Sequence, residues 1–213
     1  MQATEVLPAL TGPETEVGQA LAVLESAGVE DAAALPVSLG DRELVDLART
    51  LAGAELELVA RCPHCGLLSE IVLAPESFPE PAPRVAVLGR GGIREPTYGD
   101  LLDLPDDPEA ATAELLRRCT VGAPERAPGP GELELVDDAL SGPLEFSCAG
   151  CEGPVTLDVD VQQVALSRLG ELARQLECEL HLLATAYGWT LAEIESLPDA
   201  RRRRLALLVG EGR

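Results

Sequence analysis

The chain has 213 residues, 46% of them hydrophobic and only 2% aromatic, so a core can form but Leu, Val and Ala must fill it. Sixteen basic residues, all arginine, stand against 37 acidic ones for a formal net charge of −21. Such a chain repels phosphate backbones and anionic headgroups, which argues against nucleic-acid and membrane-surface binding.

Elements follow in chain order. Met1 to Leu10 carries no basic n-region and no sustained apolar run, and no stretch reaches the ~18 apolar residues of a membrane span. A cytoplasmic protein is expected, with reduced thiols, so the six cysteines read first as metal ligands or redox centres. Residues 1–53 read as a helical segment. Glu16 to Ala27 places Val17, Leu21 and Leu24 on one face, Pro36 breaks the chain, and a helix from Asp41 buries Leu44, Leu47, Ala48 and Leu51 before Gly53.

Residues 54–74 and 143–160 read as two halves of one ribbon. Glu55 to Arg61 alternates like a half-buried strand, Cys62-Pro-His-Cys65-Gly66 turns, and Leu68, Ile71 and Leu73 return. Leu144 to Ser147, Cys148-Ala-Gly-Cys151-Glu-Gly153 and Pro154 to Val161 repeat that layout. Between them, residues 75–142 read as an insertion. A Pro-rich stretch runs from Pro75 to Arg84, and a hairpin is expected with Gly89-Arg-Gly-Gly92 as its turn. Thr97 opens a short helix, Asp107 caps one from Pro108 to Cys119, and Gly122 to Gly131 is expected to be mobile.

Residues 161–213 read as a C-terminal helical segment. A long helix to about Tyr187 carries Ala165, Leu169, Leu172, Leu176, Leu180, Leu183 and Tyr187 on one stripe, with Arg168, Glu171, Arg174 and Glu177 opposite. Gly188 ends it, Thr190 and Glu193 form a capping box, and Asp199 is expected to cap a last helix carrying Arg201 to Arg204.

One constellation carries chemistry. Two cysteines three apart on a tight turn aim both sulfurs at one metal, and two such turns supply a tetrahedral four-thiolate site. Cys62, Cys65, Cys148 and Cys151 are therefore the expected ligands of one structural zinc ion, across an insertion of residues 66–147. A closed site of this kind leaves no open position for catalysis, so no enzyme is expected. The rival reading is a thiol–disulfide oxidoreductase using Cys62 and Cys65. That chemistry needs Cys62 at a helix N-terminus, and the alternating residues after Gly66 predict a strand.

Other features have plainer readings. His64 is a solvent-facing turn residue, His181 a surface residue near Glu177, and Cys119 and Cys178 are small buried hydrophobes. The Gly89–Gly92 run lacks the lysine of a phosphate-binding loop. Asp106-Asp107 and Asp137-Asp138 read as caps and loop residues, and Asp158 and Asp160 share a wet strand face. Arg201 to Arg204 are neutralised by the protein's own carboxylates or dock an acidic partner surface. Trp189 packs into the helix turn or anchors an interface.

The order Gly40-Asp-Arg-Glu43, Leu56 to Gly66, Thr97-Tyr-Gly-Asp-Leu101, Leu115 to Cys119, Cys148 to Cys151, His181 to Trp189 and the arginines before Leu205 resembles a known group. It is similar to the small zinc-ribbon proteins encoded with contractile injection systems and phage tail-like particles, which are like phage baseplate hub assembly proteins. The resemblance runs from about residue 36 to residue 209; it departs at the second turn, whose glycine comes one place late. It implies a non-enzymatic structural or chaperone-like assembly protein whose partners are baseplate or tail proteins, either cytoplasmic or built into the particle. A zinc-ribbon adaptor of an unrelated complex is the remaining alternative. The expected fold is α+β: a bipartite four-cysteine zinc ribbon of two β-hairpin knuckles, with N-terminal helices and a long C-terminal helix.

Overall fold

A computed structural model describes residues 3–12, 15–53, 55–73, 85–137 and 141–211. The Pro-rich stretch from Pro75 to Arg84 and Asp138 lie outside the described residues. The fold is α+β, with helices and, among the described residues, three separate two-stranded antiparallel ribbons.

Helices α1 (Ala3–Val6), α2 (Glu16–Ser26) and α3 (Val37–Ala52) pack against the long α7 (Val161–Tyr187). Their shared core holds the predicted Leu21, Leu24, Leu44, Leu47, Ala48 and Leu51 with Ala165, Leu169, Leu172 and Leu176. Thr15 caps α2 by accepting from Gly18 N at 3.1 Å. α3 begins at Val37, four residues before the expected start at Asp41. Its cap is non-local: the buried Glu95 carboxylate accepts from Ser38 N at 2.9 Å, and Pro96 O accepts from Val37 N at 3.0 Å. No local pattern announces a cap supplied 57 residues away.

The strands β1 (Leu56–Arg61) and β2 (Leu68–Leu73) form the first hairpin, and β5 (Gly142–Ser147) and β6 (Pro154–Val159) the second. β1 faces the core with Leu56 and Ala60 and water with Glu57, Val59 and Arg61, as its alternation predicts. Asp160 N-caps α7, accepting from Gln163 N at 3.0 Å.

The insertion differs from expectation. Val85–Arg94 is one β element, β3, and Gly89–Arg94 is not half of a self-contained hairpin: residues 89–93 pair with β4 (Thr120–Pro124). β3 is nonetheless folded back, because a Cβ at Gly92 would lie 2.3 Å from the Ala86 carbonyl oxygen. Six residues of straight strand would separate them by ~20 Å. The bend falls at Gly89, whose φ is 73°. The stretch expected to be mobile thus supplies β4 and then α6 (Pro130–Val136), where Glu132 accepts from Gly129 N at 2.7 Å and pairs with Arg126. β3, β4, α5 (Pro108–Cys119) and α6 enclose a small core of Ile93, Cys119 and Val136. α5 starts as predicted, with Asp107 accepting from Ala110 N at 2.9 Å.

The insertion is latched to the helical core through α4 (Tyr98–Leu101), capped by Thr97 and Asp100. The fully buried Tyr98 ring lies on Gly40, its hydroxyl donates to Asp41 Oδ1 at 2.7 Å, and Gln162 Nε2 donates back to that hydroxyl at 3.0 Å. Burial, with Asp160, Asp137 and Glu95 nearby, outweighs the Tyr98 hydrogen bond and raises the Asp41 carboxyl to about 6. Its folded pKa exceeds the unfolded value of 3.8, so the folded state binds the proton more tightly. The associated stability is present below pH ~4 and is lost as pH rises to ~6, with a magnitude of about 3 kcal/mol. Asp41→Asn should therefore gain stability over wild type as pH rises from 4 to 6.5, read as the difference between their urea midpoints. A difference that stays flat across that window contradicts the assignment.

At the C-terminus, α8 (Leu191–Glu195) is capped by Thr190 and Glu193 as predicted, and α9 (Asp199–Glu211) packs on α7. The capping bonds of α9 come from Pro198 O, which accepts from Arg201 N and Arg202 N, rather than from Asp199. Among the described residues no helix is long and apolar enough to cross a membrane.

Candidate metal centre

The two cysteine turns are built alike, atom for atom. In the first, Cys62 N donates to Leu67 O at 2.8 Å, Gly66 N to Cys62 O at 3.0 Å, and His64 N to Cys62 Sγ at 3.4 Å. In the second, Cys148 N donates to Gly153 O at 2.9 Å, Glu152 N to Cys148 O at 2.9 Å, and Gly150 N to Cys148 Sγ at 3.4 Å. The correspondence pairs residue 62 with 148, 64 with 150, 65 with 151, 66 with 152 and 67 with 153.

That correspondence explains the late glycine of the second turn. The left-handed position is filled by Gly66 (φ 76°) in one turn and by Glu152 (φ 58°) in the other. Gly153 serves a different purpose. A Cβ there would sit 2.7 Å from His64 Cδ2, while one at Gly150 would sit 3.0 Å from Leu67 Cδ2. The larger residues of the first turn thus seat on the glycines of the second, and the turns interlock. A left-handed non-glycine residue costs ~1–2 kcal/mol, partly offset by the unfolded-state entropy of a glycine. Glu152→Gly should stabilise the protein by ~0.5–1 kcal/mol, read in urea unfolding with metal held constant. A loss of stability would show that the Glu152 side chain contributes more than its strain costs.

The interlock brings Cys62, Cys65, Cys148 and Cys151 together, with all four sulfurs within 4.8 Å of one another. Cys62 Sγ is 3.7 Å from Cys151 Sγ, and Cys65 Sγ is 3.6 Å from Cys148 Sγ. A tetrahedral thiolate site with ~2.3 Å metal–sulfur bonds has edges of about 3.8 Å. All four cysteines are free thiols. Cys62 and Cys148 are buried in a small core with Ala60 and Val155, whereas Cys65 and Cys151 face outward.

The electrostatics fit a cation. The Cys65 amide, with help from that of His64 and from the neighbouring thiols, lowers the Cys62 thiol to about 6 against the opposing effect of burial. Cys151 is pushed up to about 12: the Gly153 amide favours its thiolate, but Cys65, burial, Cys62 and Cys148 outweigh it. Cys65 is raised in the same way, its Leu67 amide outweighed by Cys148 and burial. Four thiols this close cannot all ionise beside one another, whereas a divalent cation at their centre would hold them as thiolates.

The oxidoreductase reading needs a helix N-terminus at Cys62. The chain after Cys65 runs instead through a turn into β2.

His64 and His181 are exposed, as expected. Cys119 is buried, but Cys178 lies on the exposed face of α7, which corrects its reading as a buried hydrophobe. Asp158 and Asp160 are exposed. The arginine run divides. Arg202 is 1% exposed, with Nε donating to Glu179 Oε2 at 3.0 Å and Nη1 lying 2.7 Å from Asp199 Oδ1. Arg203 is partly buried, and Arg201 and Arg204 are exposed. Trp189 packs against Leu183, Ile194 and Ala206 and stacks on Tyr187 at 4.8 Å, leaving Tyr187 as the exposed ring. Sequence reasoning missed the Asp41–Tyr98–Gln162 cluster and the buried Glu179. A carboxylate amid apolar helix positions was the available signal for each.

The fold and site together define an α+β protein whose four clustered cysteines are consistent with a zinc ribbon. No family model, no curated protein and no solved structure matches the chain.

Proposed function

We propose that Cys62, Cys65, Cys148 and Cys151 hold one structural zinc ion, making the two hairpins the halves of a bipartite zinc ribbon. The protein then acts without catalysis, as a structural or chaperone-like assembly component of a contractile, phage-like baseplate. The observation that carries the metal reading is the convergence of four sulfurs within 4.8 Å of one another, two of the pairs at 3.6 and 3.7 Å, from hairpins far apart in sequence. Four protein thiolates fill a tetrahedral ion's coordination, so the ion would supply folding free energy rather than Lewis-acid chemistry. The buried pair Cys62 and Cys148 would tie it into the core, while the insertion and the C-terminal helices offer surface to partners.

The baseplate role rests on the sequence resemblance and is tested by partner identity. The chain is co-expressed with a full set of baseplate and tail proteins, purified through a tag and analysed by cross-linking mass spectrometry. Stoichiometric recovery of baseplate or tube proteins is the expected result. Recovery of none of them, with the chain in another defined complex, would contradict it and favour the adaptor reading.

A further inference from the structure

Among the described residues β1 pairs only with β2, so the first hairpin leaves the edge of β1 away from β2 unpaired. Cys62 N donates to Leu67 O across the hairpin, and this sets the alternation back along the strand. Ala60, Leu58 and Leu56 exchange bonds with β2, so the backbone groups of Glu57, Val59 and Arg61 aim the other way. That edge opens onto a cleft of about 440 Å³, floored by Gln163, Val164 and Ser167 of α7. Four consecutive residues, Glu55 and the first three of the strand, line the cleft. A strand face would contribute alternate residues; a run of consecutive ones is the mark of an edge.

We infer that this cleft takes an extended, basic segment of a partner protein, added as a strand to the open edge of β1. Main-chain bonds to Glu57 and its neighbours would supply affinity, and alternate side chains would supply specificity. Charge selects the occupant. Glu55, Glu57 and Glu171 line the cleft against a single arginine, Arg168. Arg49 holds Glu55 at 2.7 Å and Arg168 holds Glu171 at 2.9 Å. Glu57 is exposed and left to meet a cation from outside. The incoming strand would therefore place Arg or Lys opposite Glu57 and small apolar residues toward Val164 and Ser167. A second copy is a different occupant: antiparallel pairing of two β1 edges centres on Val59, with Glu57 of one opposite Arg61 of the other, rather than on the Glu55–Leu58 stretch that lines the cleft, and it alone depends on protein concentration. The inference names the partner chemistry of the binding role proposed above and rests on that reading, but not on the metal.

The test uses the whole chain and two labelled peptides: acetyl-Arg-Val-Arg-Val-Thr-Val-Arg-amide, and its isomer with Glu in place of Arg. Binding is followed by fluorescence anisotropy, and protection by amide hydrogen exchange. The basic peptide should bind and slow exchange at the Glu57 amide at least ~10-fold, while the acidic one should not. Glu57→Pro removes the outward N–H without touching the β1–β2 bonds, and should abolish binding with the melting temperature retained. If that variant fails to fold, Glu57→Lys keeps the strand and should weaken the basic peptide's binding at least ~10-fold. No protection at Glu57 with the basic peptide at millimolar concentration would overturn the inference. So would binding indifferent to both variants, or protection that appears on raising protein concentration alone, which would make a second copy the occupant. Zinc binding and baseplate recovery are read separately, so failure here is distinguishable from failure of the proposed function.

Discussion

Cys148→Ser is expected to lower metal affinity by more than ~100-fold and to loosen the second cysteine turn from the first. Losing an outer partner of a metal ligand already costs about 10–100-fold, and losing a ligand costs more. Beyond the thiols, the turns meet through His64 on Gly153 and Leu67 on Gly150, and the far ends of β1 and β6 are held by Leu56 and Val159 in the helical core. The core between the hairpins is small, and two of its four buried members are the proposed ligands Cys62 and Cys148 themselves. The helical core of α2, α3 and α7 has its own apolar packing and should persist. Hydrogen exchange should therefore show protection lost around the two turns, at the amides of Cys62, Gly66, Cys148 and Glu152, while the core-anchored ends of β1 and β6 stay protected and far-UV circular dichroism keeps its helical signal. Unchanged protection at the turns in the variant would mean that apolar packing, not metal, joins the halves.

The second large effect lies far from the cysteines. Arg202→Ala should destabilise the protein by ~3–5 kcal/mol, a fall in melting temperature on the order of 10 °C. The guanidinium is buried between α7 and α9, and Glu179 is buried with it. Gln175 Nε2 also donates to Glu179 at 3.0 Å, but that neutral donor cannot replace the lost charge. Removing the arginine leaves a buried carboxylate among Leu7, Leu51, Leu172 and Leu176. The double change Arg202→Met with Glu179→Leu should recover part of the loss, since it removes both members of the buried pair and leaves only the part-exposed Asp199 without its arginine. Chemical unfolding of the three proteins checks both statements. A single variant within ~1 kcal/mol of wild type would show that water reaches the pair.

Much of the fold was legible because its signals are local. The α7 stripe, the Asp107 and Thr190 caps and the β1 alternation each lie within a few residues of what they specify. The cysteine turns were legible for the same reason: three-residue spacing and a following glycine describe a turn completely. What the sequence hid is non-local. α3 is capped by Glu95, β3 finds its partner in Thr120–Pro124, and a stretch rich in Pro and Gly forms β4 because β3 offers it an edge. Arg202 belonged to a run of four arginines, and nothing local separates it from its neighbours. Only the packing of α9 against Glu179 does so. The late glycine of the second turn read as an irregularity because Glu152 was not expected in a left-handed conformation. The structure gives Gly153 its reason in the His64 ring seated on it.

Native mass spectrometry of the chain, purified without added metal and measured before and after a chelator, tests the central claim most directly. One zinc per monomer is expected, with all four cysteines reduced, and protection around the two cysteine turns is lost when the metal is stripped. A metal-free, stably folded chain about 2 Da light, from a Cys62–Cys65 disulfide, would contradict it and put thiol–disulfide chemistry in its place.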